Sequence, residues 1–532
     1  VPAHPPAQPV DQTGQGAQPV QVLDKRAQFN VMVAMITALV AVLAAMSGLN
    51  VAQQEIAIEL GASQGDVLWI INAYTLALAA LLLPVGALGD RFGRKPVLLL
   101  GLLVFAVATV GAVLATSVGM MIATRVLAGV GAAMIMPVTL SIITSSFPPE
   151  DRARAIGVWA GFAGGGSMIA MFVSAFMIDV LTWRWVFALP LLLVAVSAVT
   201  SWRFAPNSRE HSGHRFDTVG SVLSALAIGG LVLGIHEGPE KGWAHPLALV
   251  PIVIGVVASV AFVWWERRQH EPLLDISAFA DRGLASGTVT LLIVFGVMFG
   301  VFLVLYPFFQ AVLGWSALRS AAAMLPMMLM MMPMSTLAPR VATRVGSRTT
   351  MILGVTIFAV GLATMGLQAS VEGGYLSVLP GLLLIGLGMG LTMTPATQAI
   401  TETLPADKQG VASALNDTSR ELGGAVGIAL LGSVLSAGYR AAMEPAMAGL
   451  PPELAEPASE GIGSAFAVAA QAGENGPLII DAAQHAFVDG WVQSMWLGVG
   501  LAAAAVLFLV VRGPRRSREV DERVSDEVLL AG

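Results

Sequence analysis

Three short stretches of this chain hold the side chains on which chemistry could rest. The first is GALGDRFGRK, Gly86–Lys95, which gathers Asp90, Arg91, Arg94 and Lys95 among three glycines. The second is Arg125, alone in ATRVLAGVGAAMIMP. The third is NDTSRELGG, where Asp417 and Glu421 stand four apart and so share a helical face, with Arg420 three from Asp417. All three interrupt strongly apolar sequence. A charge inside hydrocarbon costs about 2.5–3.5 kcal/mol on insertion scales, so each needs a partner, water, or a part in moving ions or substrate. Covalent chemistry has little to work with. There is no cysteine, no phosphate-binding glycine loop and no HExxH helix; His211, His214 and His485 lie apart, in loops. No enzyme, metal site, cofactor or nucleic-acid partner is expected, and nothing in the chain would hydrolyse ATP.

The elements that must position these residues are membrane helices. Of 532 residues, 56% are hydrophobic and 12% charged, with a mean hydropathy of +0.77. That composition makes the bilayer the natural solvent. Abundant alanine and an excess of arginine over lysine suggest a GC-rich bacterial genome. Fourteen apolar runs are long enough to span, beginning near Val31, Val67, Pro96, Gly119, Ala153, Arg184, Asp217, Pro246, Gly283, Arg319, Thr349, Leu376, Gln409 and Phe487. An even number puts both termini on one side. The stretches GDRFGRK, PPEDRARA, RFAPNSREHSGHRFD, WWERRQHEP, PRVATRVGSRTT, LPADKQG and RGPRRSREV then fall together, and their Arg and Lys make that side cytoplasmic. The longest opposite loop, 436–486, carries six acids against Arg440. Within it GIGSAFAVAAQAG is too short to span and reads as a surface helix rather than a re-entrant segment. The opening residues, rich in Pro, Gln and Gly, cannot build a core and lack the layout of a cleavable signal; they read as a disordered cytoplasmic tail.

The chain also repeats. A shift of 253 residues lays Arg91 on Arg344, Gly93 on Gly346, Lys95 on Arg348 and Gly101 on Gly354, and a similar shift lays FPPEDRA on LPADKQG. Two six-span halves separated by an inserted pair account for the count, and repeated bundles with a site between them are a common transporter plan. The expected divisions are a tail (1–28), a first bundle (29–206), the inserted pair (216–266), a second bundle (283–512, with the outer loop 436–486) and a second tail (513–532).

GALGDRFGRK between the second and third spans resembles the loop signature of the major facilitator superfamily. With fourteen spans, the chain is most similar to the drug:proton antiporter group of that family, over about Val31–Val511. The resemblance implies an all-α fold of two six-helix bundles plus two inserted helices. It further implies that Gly86, Asp90, Arg91, Gly93, Arg94 and Lys95 form a gating latch whose ion pairs make and break as the bundles rock. Arg125 is similar to the fourth-span RxxxGxG arginine, although Ala128 stands where glutamine is usual, and it becomes a candidate for proton coupling or charge sensing. Glu55 and Asp179 are its candidate acidic partners. Asp417, Arg420 and Glu421 read either as a coupling site or as a self-neutralised packing cluster. Gly157, Gly161 and Gly165 form a small-residue face for close packing and match the first part of the antiporter motif. Its second part is lost to Ala170-Met171 and Ser174-Ala175. In the first span Ala45 replaces the usual aspartate, and Gln53-Gln54 the usual Leu-Pro.

Asn50, Trp69, Asn72, Tyr306, Phe309, Gln310 and Asn416 are candidates to line a cavity. MLPMMLMMMPM (Met324–Met334) reads as lipid-facing filler, or as the flexible surface methionine offers to varied ligands. The expected function is a monomeric secondary transporter in the bacterial inner membrane, exporting hydrophobic or amphipathic compounds by alternating access with protons. The alternative, kept open by the lost motifs, is a lipid or cell-envelope metabolite transporter without proton coupling. The partners are then a small amphipathic substrate or lipid, protons and membrane lipids.

Overall fold

The structure is a computed structural model describing residues 24–206, 216–448 and 450–514; most of the two expected tails lies outside them. The first half comprises α1 (Lys25–Leu60), α2 (Gln64–Phe92), α3 (Arg94–Val113), α4 (Val118–Ser146), α5 (Pro149–Val180) and α6 (Ala188–Phe204), the last entered through a 3-10 turn at Trp183–Phe187. The inserted pair is α7 (Thr218–Lys241) and α8 (Pro246–Glu266). The second half runs α9 (Arg282–Pro307), α10 (Ala317–Ala323), α11 (Leu325–Val345), α12 (Ser347–Gln368), α13 (Leu379–Thr403) and α14 (Gln409–Met447), then two short helices, α15 (Pro452–Ala458) and α16 (Ile462–Ala469), and α17 (Gly476–Arg512). Among the described residues fourteen helices are long and apolar enough to cross a membrane, with α10 and α11 counted as one span. These match the fourteen apolar runs.

Local chemistry explains where the helices begin. Ser63 and Asp66 form a reciprocal capping box at α2. Ser117 accepts from the Met120 amide at α4, and Asp281 from the Gly283 and Leu284 amides at α9. The repeat is visible in the backbone. The α2–α3 turn is a single residue, Gly93 at φ 102°, and the α11–α12 turn is its counterpart, Gly346 at φ 88°. A side chain is strained at such angles, so glycine is required at both. The same symmetry governs packing. A methyl on Gly101 would sit 3.2 Å from the Gly131 carbonyl of α4, and one on Gly354 would sit 2.8 Å from the Gly388 carbonyl of α13. Helix pairs of both halves thus approach through small residues, as membrane helices commonly do.

The outer loop is shorter than expected. At 1.5 Å per residue α14 and α17 are about 58 and 55 Å long, nearly twice the hydrocarbon thickness, so both project beyond the outer surface. Only 448–475 lies between them, not 436–486. Polar helix formers such as Arg440 and Glu444 end an apolar run without ending a helix. The Tyr439 hydroxyl ties the projection together by donating to the Ala458 carbonyl at 2.9 Å. GIGSAFAVAAQAG supplies the eight-residue α16, which packs on α17 through buried Ile462, Ala465 and Ala469.

Candidate functional site

Two charged sites lie between the halves. The first is at the face bearing both ends of the described chain, here the inner face. Asp90 at the end of α2 is 7% exposed and Arg94 at the start of α3 is 6% exposed. Arg94 Nη2 and Nε donate to Asp90 Oδ1 at 2.9 and 3.2 Å. Across the seam, both Asp90 oxygens accept from the Gly410 amide at 2.9 and 2.8 Å, and Oδ2 from the Val411 amide at 3.2 Å. The carboxylate therefore caps α14, satisfying amides that have no partner within their own helix. It also meets the positive end of the helix dipole, worth up to about 2 kcal/mol when partly buried. Arg94 reaches the same turn by donating to the Ala406 carbonyl at 3.3 Å.

Two glycines make this approach possible. A methyl on Gly86 would lie 2.6 Å from the Gly410 carbonyl and 2.7 Å from Ala414 Cβ. Arg91 is exposed and stacks on Phe92, 5.5 Å from its ring centre, so it stays outside the ion pair; Lys95 is half-buried. This contact is one-sided. The repeat shift places Thr343 at the position of Asp90, and its hydroxyl donates only to the Arg340 carbonyl of its own helix. Overpacking such a seam costs about 1–3 kcal/mol, so Gly86→Val is expected to pry it open. A cysteine at Ala414, the chain's only thiol, would then react faster with a maleimide than it does beside Gly86.

The second site lies deep between α14, α5, α9 and α13. Asp417 is 0% exposed. Its Oδ1 accepts from Asn416 Nδ2 at 3.1 Å and from Arg420 Nη1 at 3.5 Å. Asn416 in turn accepts from the Thr397 hydroxyl at 2.9 Å. Arg420 crosses to the other half, where Nη2 donates to the Ala163 carbonyl of α5 at 2.9 Å. Its guanidinium lies 4.4 Å from the Phe295 ring centre and 5.8 Å from that of Trp159, which donates to the Thr139 hydroxyl at 3.1 Å. Asp417 and Arg420 are thus paired, but Asp417 Oδ2 and Arg420 Nε have no hydrogen-bond partner among the described residues. Glu421, one residue on, is half-buried.

Arg125, 2% exposed, is not paired as expected. It donates to the Ile70 carbonyl at 3.3 Å and stacks 4.3 Å from the ring centre of Tyr74, whose hydroxyl donates to the Val42 carbonyl at 3.0 Å. Among the described residues the α4 arginine is thus held by α2 alone, over the face of the Tyr74 ring. Glu55 and Asp179 are elsewhere. Glu55 accepts from the Trp183 amide at 3.1 Å, in the outer extension of α1, where Glu59 pairs with Arg184 and accepts from the Trp183 indole. Those bonds hold the Glu59 carboxyl below its usual range. Asp179 is exposed. Tyr74 escaped the sequence reading because one tyrosine in an apolar run shows no pattern until the fold brings a charge to it.

The expected cavity residues divide into separate groups. Trp69 and Asn72 face α7, lining a small cavity with Leu233, His236 and Glu237. Phe309 is fully buried in an outer aromatic cluster, 5.7 Å from Trp315 and 5.9 Å from Tyr375 between ring centres. Tyr306 donates to the Ala317 carbonyl at 3.3 Å, and Gln310 is exposed. Only Asn416 joins the central charges. The Asn50 side chain lies outside the described residues. Gly157 and Gly161 abut Ser335 of α11, and Gly165 abuts Met328, with methyl positions 2.6–2.8 Å from those neighbours. Met327, Met328 and Met331 are buried, so the methionine run is not simply lipid filler, although Leu329 and Met330 do face outward.

Two helical bundles joined by an inserted pair, with charged contacts at their seam, fit a multispan membrane transporter, and the family and relatives of the chain make it a transporter rather than an enzyme. The chain belongs to the Major Facilitator Superfamily, whose family model matches residues 33–428. It is 33% identical over 454 residues to the multidrug efflux pump LfrA of Mycolicibacterium smegmatis, covering 84% of this chain and 88% of that protein. It is 31% identical over 483 residues to the tetracenomycin C resistance and export protein of Streptomyces glaucescens, covering 88% of each. Among solved structures, the proton:xylose symporter XylE shares the fold at a TM-score of 0.58 and 13% identity, over 92% of this chain and 97% of that one.

Proposed function

We propose that this chain exports hydrophobic or amphipathic compounds from the bacterial cytoplasm by alternating access, with protons moving the other way. The observation that carries the reading is the central cluster. Asp417, Arg420 and Glu421 sit between the halves, where a change of protonation alters which contacts are favourable. Kinship with efflux and export proteins supports the direction and substrate class. The inner face is taken as cytoplasmic from its basic loops. In the described state the latch joins the halves on that face, as an outward-directed step requires. With Ala45 in the first span, the second half supplies the acids.

The test uses purified protein in liposomes under an imposed pH gradient, with a lumenal pH dye and amphipathic cations added in turn. Substrate-dependent proton movement, abolished by a protonophore, is the expected result. Cation transport without proton movement would overturn the coupling. No response to any cation, with lipid copurifying with the protein, would favour the lipid or envelope-metabolite reading.

A further inference from the structure

The inserted pair α7–α8 has no counterpart in the repeat, and its connection to α9 runs across the inner face beside the latch. The connection is pinned at both ends. Glu266, buried at the end of α8, accepts from the Leu274 amide at 3.3 Å, and Leu273 and Leu274 are buried in the core. At the far end Asp281, which caps α9, accepts from the Thr403 hydroxyl of α13 at 3.1 Å. Between these points Lys408 Nζ donates to the Pro272 carbonyl at 2.9 Å. The Asp275 carboxyl is held below its usual range, first by Ser277 and further by the Lys408 ammonium.

Lys408 is also the residue immediately before α14, so its backbone sets the direction of the Gly410 and Val411 amides that hold Asp90. The short turn between α13 and α14 is therefore held from three directions. Gln409 Nε2 donates to the Thr401 and Leu404 carbonyls at 2.8 and 3.1 Å, Arg94 grips Ala406 from the first half, and Lys408 grips the connection. The inserted pair itself lies over the same seam, with α7 packed on both α2 and α14.

We infer that the 267–275 connection is a strap that holds the α13–α14 turn in register for the latch, with Lys408 as its positioning residue. The inserted helices then bias the transport cycle toward the inner-closed state instead of merely adding spans. This rests on the latch reading of Asp90, and the test separates the two. The chain has no native cysteine, so spin labels at Arg154→Cys and Thr343→Cys, exposed on opposite halves of the inner face, report closure without background. Full-length protein in nanodiscs would be measured by pulsed electron paramagnetic resonance. Lys408→Met removes a charged hydrogen bond and is expected to lower the closed-to-open ratio about three- to tenfold. Lys408→Arg keeps a cationic donor and should stay within about twofold of the parent. Asp275→Asn, on the exposed side of the strap, gives a milder loss, so the result does not depend on Lys408→Met folding. Asp90→Asn is the control. If it opens the inner face while the Lys408 and Asp275 variants do not, the strap is wrong and the latch stands. If none of them opens it, both fail.

Discussion

Asp90→Ala is expected to reduce transport at least about tenfold at unchanged membrane abundance, measured as substrate flux per molecule in proteoliposomes. The carboxylate makes contacts that nothing else in the seam replaces: two amides of α14 and the buried Arg94. Without it Arg94 stays buried and loses its pairing with Asp90, and removing one partner of a buried pair costs about 3–5 kcal/mol. That penalty falls on the inner-closed state alone, because opening the seam returns Arg94 to water. Every factor of ten in the closed-to-open ratio is about 1.4 kcal/mol, so the cycle would stall inward-open. Asp90→Asn should fall between parent and alanine, since the amide keeps one acceptor oxygen but loses the charge that faces the helix dipole. A double-mutant cycle sharpens the claim. Asp90→Ala with Arg94→Met should be less damaged than Asp90→Ala alone, because no charge is then stranded. If Asp90→Ala transported like the parent, the closed seam would have no part in turnover.

At the central cluster two substitutions should fail in different ways. Arg420→Ala leaves the fully buried Asp417 without its cation and removes the bond across the seam to the Ala163 carbonyl. A cost of about 3–5 kcal/mol is expected, read as loss of folded protein on size-exclusion chromatography. Glu421→Gln strands no ion, because Glu421 is half-buried and Arg420 keeps Asp417. It should fold normally and lose gradient-driven accumulation about tenfold or more, while downhill substrate exchange continues. Uphill transport by Glu421→Gln at the parental rate would remove Glu421 as the proton carrier and leave Asp417 as the acid to test. Arg420→Lys discriminates further. Lysine keeps the charge but not the planar group that lies on Phe295 while reaching Ala163, so only partial rescue is expected.

How much of this was legible in the chain follows from what each signal depends on. Hydrophobic run length is a local property, so the fourteen spans and the inserted pair could be read directly, and the repeat followed from two loops in matching order. The charged loop was legible as a special place because four charges and three glycines break apolar sequence at one point, while a latch role for it was implied only by resemblance. Its partner was not. LPADKQG looks like an ordinary loop, and only the folded chain carries the Gly410 amide to Asp90, 320 residues away in sequence. The same holds for Glu55 and Arg125. Both are charges in apolar surroundings, and their sequence offers no reason against pairing. The structure separates them because α1 continues past the membrane, where Glu55 caps the turn at Trp183.

The sequence by itself determined the solvent, the number of crossings, the division into halves and the places where charge enters the bilayer. Each of these depends on residues adjacent in the chain or on one helical period. Tertiary structure alone decided which charges meet: Asp90 with the start of α14, Arg420 with α5, Arg125 with Tyr74, and Lys408 with the inserted connection. Those pairings depend on how two bundles are laid side by side. Apolar helices pack through small residues with no long-range charge pattern to announce their neighbours, so a buried ion can find its partner only once the helices have packed.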